Sequence, residues 1–186
     1  AWRPMREVAP IVRRDVTVDL EASYAELGIR SFGKGTFHKP TVTGQELGDK
    51  RVYRIEPGDL LFSNVFAWEG AIAVARREDL GRVGSHRFIS CVPHGGLTTA
   101  EYLRFYFLTD EGIAKIREAS PGGAGRNRTL GLSKLMEIQV PEPSDHVQKK
   151  FIALKNKLSQ ASIVRVKQKE LSEALSSSIL SRFIGG

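Results

Sequence analysis

SDHVQKKFIALKNKLSQASIVRVKQKELSEALSSSILSRF, residues 144–183, is the stretch around which the chain is organised. It follows Pro141-Glu142-Pro143, a stop signal, and holds no proline or glycine before Gly185. Apolar residues recur at Val147, Phe151, Leu154, Leu158 and Ala161, the stripe of a helix that packs along a partner. The stripe stutters at Arg165 and Gln168, then resumes at Leu171, Leu175, Ile179 and Phe183. A continuous helix of this length would run roughly 60 Å at 1.5 Å per residue. That exceeds the diameter of a domain of this size, so part of it is expected to leave the globular part and lie on something else. The chain therefore reads as a head, residues 1–143, carried on a helical stalk, residues 144–186. The alternative is a hairpin of two helices broken near Val164–Lys167.

Composition narrows the class. At 186 residues the chain suits one domain and an appendage, and 41% apolar residues permit a true core. A single cysteine, Cys91, excludes a disulfide framework and a cysteine-rich zinc site. No apolar run reaches the roughly 18 residues of a membrane span. Ala1-Trp2-Arg3-Pro4 does not look like a signal peptide, so a soluble, cytoplasmic protein is expected. The net charge of +7 hints at a polyanionic partner. Eight of the 28 cations and three of the 21 acids lie from residue 144 onward, which leaves the head at only +2. Nucleic acid would therefore have to be met through local clusters.

Along the head, Val16, Val18 and Leu20 alternate with polar residues as a short strand does. Residues 28–40 are the most unusual stretch: three glycines enclose cations, two aromatics, a histidine and two hydroxyls. That mixture suits a loop tip on nucleic acid, and equally a ligand-free hairpin tip. It nearly spells a phosphate-binding loop, but Gly35 stands where a hydroxyl must follow Gly33-Lys34, and nucleotide binding is rejected. Glu56-Pro57-Gly58-Asp59 reads as a type II turn leading into a fully buried strand, Leu60-Leu61-Phe62. Asn64, Trp68 and Glu69 occupy the loop before a second strand at 71–75. Asp59 and Glu69 resemble a nuclease acid pair without its lysine and are read as structural. Residues 84–92 read as a further strand. The four histidines, at 38, 86, 94 and 146, show no metal-ligand spacing, and no Ser/His/Asp arrangement is present. Residues 99–120 predict one amphipathic helix burying Tyr102, Phe105, Tyr106, Leu108, Ile113 and Ile116. Beyond it, Arg126-Asn127-Arg128 among glycines offers forked donors on a compliant backbone, suited to phosphates or base edges.

The order of these motifs resembles a target recognition domain and its following helix from the DNA specificity subunit of type I restriction-modification enzymes. The likeness rests on Pro57-Gly58-Asp59-Leu60-Leu61-Phe62-Ser63, Gly70-Ala71-Ile72-Ala73-Val74, Glu101-Tyr102-Leu103 and the Gly125–Leu132 loop. It continues through Leu132–Pro143 and a long helix ending Leu180-Ser181-Arg182-Phe183-Ile184-Gly185, so it covers most of residues 52–186. The linker departs from the family's Pro-Leu-Pro-Pro pattern, with Val140-Pro141-Glu142-Pro143 in its place. The resemblance implies an α/β (α+β) head with a curved, partly barrel-like mixed sheet, followed by a long coiled-coil-type helix. It implies a non-catalytic protein without cofactor or metal that reads double-stranded DNA. Separate subunits would supply methylation from S-adenosylmethionine and nuclease or translocase activity. Such subunits usually carry two recognition domains and two antiparallel helices; this chain has one of each, as a half-subunit or an excised half would.

The residues expected at DNA are Arg126, Asn127 and Arg128, then Arg30, Lys34, Thr36, His38 and Lys39 on the glycine loop. Asn64, Trp68, His86 and Arg87 are expected near the groove. Phe151, Leu154, Leu158, Leu171, Leu175 and Ile179 are expected to pair with a second copy, with the missing half, or with the methyltransferase subunit. Two rival readings are an RNA or single-strand binder stacking bases on Phe32, Phe37 and Trp68, and an assembly adaptor acting through its helix.

Overall fold

The strand at Leu60–Ser63 shows how the head is built, because its residues alternate between two cores. The computed structural model describes residues 1–122 and 128–184, with the side chains of Ser177 and of residues 179–184 outside the description. The elements run β1 (Trp2–Pro4), α1 (Met5–Val8), β2 (Ile11–Val12), β3 (Asp15–Val16), β4 (Ser23–Ile29), β5 (Thr36–Thr43) and α2 (Gly44–Leu47). Then come β6 (Val52–Arg54), β7 (Leu60–Ser63), β8 (Ile72–Val74), β9 (Val83–Ser85) and β10 (Phe88–Cys91). They end with α3 (Ala100–Phe107), α4 (Asp110–Glu118), α5 (Leu132–Glu137), β11 (Gln139–Pro141) and α6 (Asp145–Ile184). The chain divides into two units, Ala1–Pro143 and Ser144–Gly186.

Among the described residues the strands form three sheets, β1-β11, β2-β10-β7-β8 and β3-β6-β9-β4-β5, and none closes into a barrel. Pairing is mixed: β4 runs parallel to β9, while the other pairs are antiparallel. Leu60 and Phe62 point into the largest core with Ile72, Ile89, Cys91, Leu103, Phe107 and Ile116. Leu61, one residue between them, joins the second core with Leu27, Ile55, Ala75 and Phe88. This is the period-2 geometry of a strand buried on both faces, and it explains the continuous apolar run Leu60-Leu61-Phe62. The turn before it is as read: Gly58 sits at φ +93° and the Asp59 N–H donates to the Glu56 carbonyl at 3.1 Å.

The structure corrects four local readings. The strand expected over 84–92 is two, β9 and β10, separated by a turn at His86-Arg87. The helix expected over 99–120 is two helices. Thr109 caps α4 by accepting from the Gly112 N–H at 3.2 Å, while its hydroxyl donates to the Tyr106 carbonyl at 2.7 Å. A threonine followed by Asp110 and Glu111 is a helix start, and it outweighs the continuing apolar period. The buried side is therefore Leu103, Tyr106, Phe107 and Ile116, while Phe105 is 57% exposed. The strand expected through Leu20 stops at Val16, and Leu20 is exposed. The glycine loop ends at Gly35, so Thr36, His38 and Lys39 stand on β5.

Asp59 is structural, as expected: it is buried and takes a two-pronged ion pair from Arg14 at 2.6 and 3.0 Å. The unit that begins at Ser144 is one unbroken helix of 40 residues, with no hairpin at Val164–Lys167. It leaves Val147, Ile152, Leu154, Leu158, Ile163, Val164, Val166, Leu171 and Leu175 exposed. Among the described residues no helix is long and apolar enough to cross a membrane.

Candidate nucleic-acid interface

The loop from Asn64 to Gly70, between β7 and β8, is the hub on which distant cationic segments converge. Its turn, Ala67–Glu69, is closed by Gly70 in the left-handed conformation at φ +78°. Trp68 is fixed by its indole N–H donating to the Val65 carbonyl at 3.0 Å. The Arg117 guanidinium, from α4, donates to the Trp68 carbonyl at 3.3 Å. The Arg128 guanidinium lies 5.6 Å from the centre of the Trp68 ring. The Asn64 N–H donates to the Arg87 carbonyl at 2.7 Å, and the Asn64 carbonyl accepts from the Leu130 N–H at 2.8 Å. One residue therefore ties the β9–β10 turn, with His86 and Arg87 both exposed, to the segment carrying Arg128. The Asn64 Oδ1 is buried without a hydrogen-bond partner among the described residues.

The hairpin tip between β4 and β5 docks on the other side of the hub. The Phe32 N–H donates to the Glu69 carbonyl at 2.9 Å, and the Gly33 N–H to the Gly70 carbonyl at 2.8 Å. Ser31 donates to the Glu69 carboxylate at 3.2 Å, so Glu69 is a docking group, in keeping with its structural reading. The Arg104 guanidinium, from α3, donates to the Gly33 carbonyl at 2.6 Å, and burial lowers its pKa. Gly33 is required twice over: its φ is +65°, and an added Cβ would stand 2.8 Å from Leu108. Phe32, Gly33, Glu69, Leu108, Asp110, Ile113 and Arg117 enclose a cleft of about 600 Å³.

The remaining candidates form a second group at the base of the hairpin. Asp79 is 1% exposed and collects the Thr36 hydroxyl at 2.9 Å, the His38 Nε2 at 2.9 Å and the Arg76 N–H at 2.9 Å. Burial pushes its carboxyl up, but the hydrogen bonds from Arg76, His38 and Thr36 outweigh burial and hold it below its ordinary value of 3.8. Arg30 lies over the Phe37 ring at 4.8 Å and donates to the Thr36 carbonyl at 3.0 Å. The Phe37 ring in turn covers Gly28, where an added Cβ would sit 2.2 Å from it. Lys39 is 3.9 Å from Glu26.

So the structure gathers Asn64, Trp68, Arg87, Arg128 and the Lys34 tip about one hub, and sets Thr36 and His38 about Asp79. Thr36 is buried with its hydroxyl committed. Arg126 and Asn127 lie outside the described residues. Sequence reading missed Arg104 and Arg117 as docking and hub cations, since both look like ordinary helix-surface residues. It missed Asp79 because only the Arg76 contact is local; Thr36 and His38 stand roughly forty positions away on β5, and only the tertiary fold brings them to it. Among the described residues no group of three or more His, Cys, Asp or Glu could hold a metal ion.

The fold recurs in solved structures. The HsdS subunit from Thermoanaerobacter tengcongensis superposes with a TM-score of 0.66 at 20% identity, over 98% of this chain and 48% of that one. A chain from a study of complex assembly and conformational transition of the type I R-M system superposes with a TM-score of 0.64, also at 20% identity and over the same shares. The fold is that of HsdS. The chain spans about half the length of the HsdS chains it matches. The likeness agrees with the order of motifs read from the sequence. No family model matches the chain, and no curated protein sequence does.

Proposed function

We propose that the chain is a target recognition domain with its spacer helix, acting as the DNA specificity subunit, or half of one, of a type I restriction-modification complex. The observation that carries this reading is the HsdS fold over 98% of the chain, with a cationic hub of converging loops on the head. Lys34, Arg87, Arg117, Arg128 and the Arg126-Asn127 pair are the donors for phosphates and base edges, with Trp68 and His86 as further contacts at the hub and Arg30, His38 and Lys39 as further contacts from the base of the hairpin. Arginine's planar fork suits guanine edges and phosphate oxygens, while a hub made of backbone hydrogen bonds keeps those forks in register. The protein catalyses nothing itself. It directs a methyltransferase subunit, which supplies S-adenosylmethionine chemistry, and a nuclease subunit.

The helix α6 is the second half of the proposal. Its exposed leucines and valines pair with a second copy, or with the missing half, as an antiparallel couple. Antiparallel pairing puts two heads at opposite ends, which suits a split, palindromic site.

Selection of bound duplexes from a random pool tests the reading. A two-part consensus with a fixed gap is expected. Binding should weaken with salt at a slope of roughly −4 to −5 in log–log terms for about five phosphate contacts. No enrichment, or enrichment of single strands alone, would overturn it in favour of a single-strand binder or a protein adaptor.

A further inference from the structure

Among the described residues Phe32 is the one non-glycine residue with positive φ, at +60°. It is also the most exposed large apolar side chain of the head, at 75%. Bulky side chains in the left-handed region are outliers; a glycine or asparagine would hold this corner with less strain. Its ring joins none of the hydrophobic clusters among the described residues, so packing does not account for it. The backbone beneath the ring is nevertheless clamped on both sides by the Glu69 and Gly70 carbonyls and by Arg104. A strained corner that is rigidly held and presents an aromatic ring to solvent points to a contact made with something outside the chain. The neighbours say what: the Lys34 ammonium is 5.8 Å from the ring, and Arg117 lines the same cleft. Two acids, Glu69 and Asp110, line that cleft as well, and Glu69 accepts from the Ser31 hydroxyl at 3.2 Å.

We propose that Phe32 is an apolar wedge that enters the duplex between two stacked base pairs while Lys34 and Arg117 hold the flanking phosphates. This rests on the duplex-binding reading above. Aromatic and aliphatic wedges unstack one step and bend the duplex toward the opposite groove. The clamp makes such a wedge effective, because a free loop would fold its ring back rather than resist the stack.

The test uses the full chain and duplexes taken from the random-pool selection, each with 2-aminopurine at one successive position. The parent should brighten the probe at one or two adjacent positions. Phe32→Ala should abolish that brightening and weaken binding roughly 5- to 150-fold, the range expected for one lost aromatic–base contact. Phe32→Leu, still a bulky apolar wedge, should keep part of both effects. Phe32→Gly should lose the brightening yet melt at or above the parent, since glycine relaxes the corner; loss of folding in Phe32→Gly would instead make the ring a structural part and overturn the wedge. A parent that brightens no position, or a Phe32→Ala variant that brightens it equally, overturns the wedge while leaving duplex recognition standing. A pool that yields only single strands overturns recognition first, and the wedge with it.

Discussion

Strand β7 and helix α6 are both written in leucine and its relatives, and they meet opposite fates. Leu60, Leu61 and Phe62 are fully buried, each face of the strand sealed in a different core. Leu154, Leu158, Leu171 and Leu175 stand more than half exposed on α6. A continuous apolar run needs two surfaces to cover it, and the head supplies both. A stripe repeating every three or four residues needs only one, and a second helix, from another copy or another half, would supply it. The contrast teaches that an apolar residue in this chain reports a partner without saying whether that partner is in the same molecule.

The comparison breaks most easily at β7. Phe62→Ala should cost about 3–5 kcal/mol and collapse the thermal transition of the head, because its ring meets Phe107 edge-on at 5.3 Å and nothing can fill the gap. Chemical denaturation of the variant checks this; a loss below about 1 kcal/mol would mean the two-core arrangement is wrong. The same kind of change on α6 should leave the head untouched. Leu154→Glu with Leu175→Glu should give a monomer by light scattering, with the head's melting temperature unchanged, since each leucine buried in a pair contributes roughly 1.5–3 kcal/mol. A parent that is already a strict monomer at micromolar concentration would mean that α6 waits for a different partner.

Asp79 sharpens the contrast within the head, as a polar group buried as deeply as β7. Asp79→Asn should cost about 1–3 kcal/mol by unbalancing the Thr36, His38 and Arg76 donors. Because its folded pKa lies below 3.8, its contribution is full above that value and is lost as pH falls through the folded pKa. The parent should therefore lose stability between about pH 4 and its acid transition in excess of the variant, as pH-dependent melting would reveal.

The smallest effects belong to the surface cations, Arg117 exposed and Arg128 half-buried. Arg117→Ala and Arg128→Ala should move the melting temperature little, with stability changes within about 0.5 kcal/mol. Each should reduce the salt slope of duplex binding by about 1 if it meets a phosphate, or relax one base position by about 1–3 kcal/mol if it reads an edge. Two variants that bind as the parent does would remove the hub from the proposed interface.

Much of this architecture is legible in the amino-acid sequence. The turn at Pro57-Gly58, the double-faced strand after it and the uninterrupted helix after Pro143 are local statements, carried by proline geometry, period-2 burial and the absence of breakers. The helix over 99–120, which proves to be two, also has a local signal in Thr109-Asp110-Glu111, which the apolar period masks. The candidate cations of the loops are visible as types. Their grouping is not, because backbone hydrogen bonds from Phe32, Asn64 and Gly33 join segments tens of residues apart and leave no trace in composition.

By itself, then, the sequence determined the turn at Pro57-Gly58, the buried strand after it, and the long helix after Pro143 with its apolar stripe. Only the tertiary structure decided that Thr36 would be buried against Asp79 and that Trp68 would gather Arg117 and Arg128. It alone decided that Phe32 would stand out on a clamped, left-handed corner. The reason is physical: propensity and periodicity act over a turn or a strand, whereas those placements depend on which sheet edges meet, and that is settled by burying the two cores together.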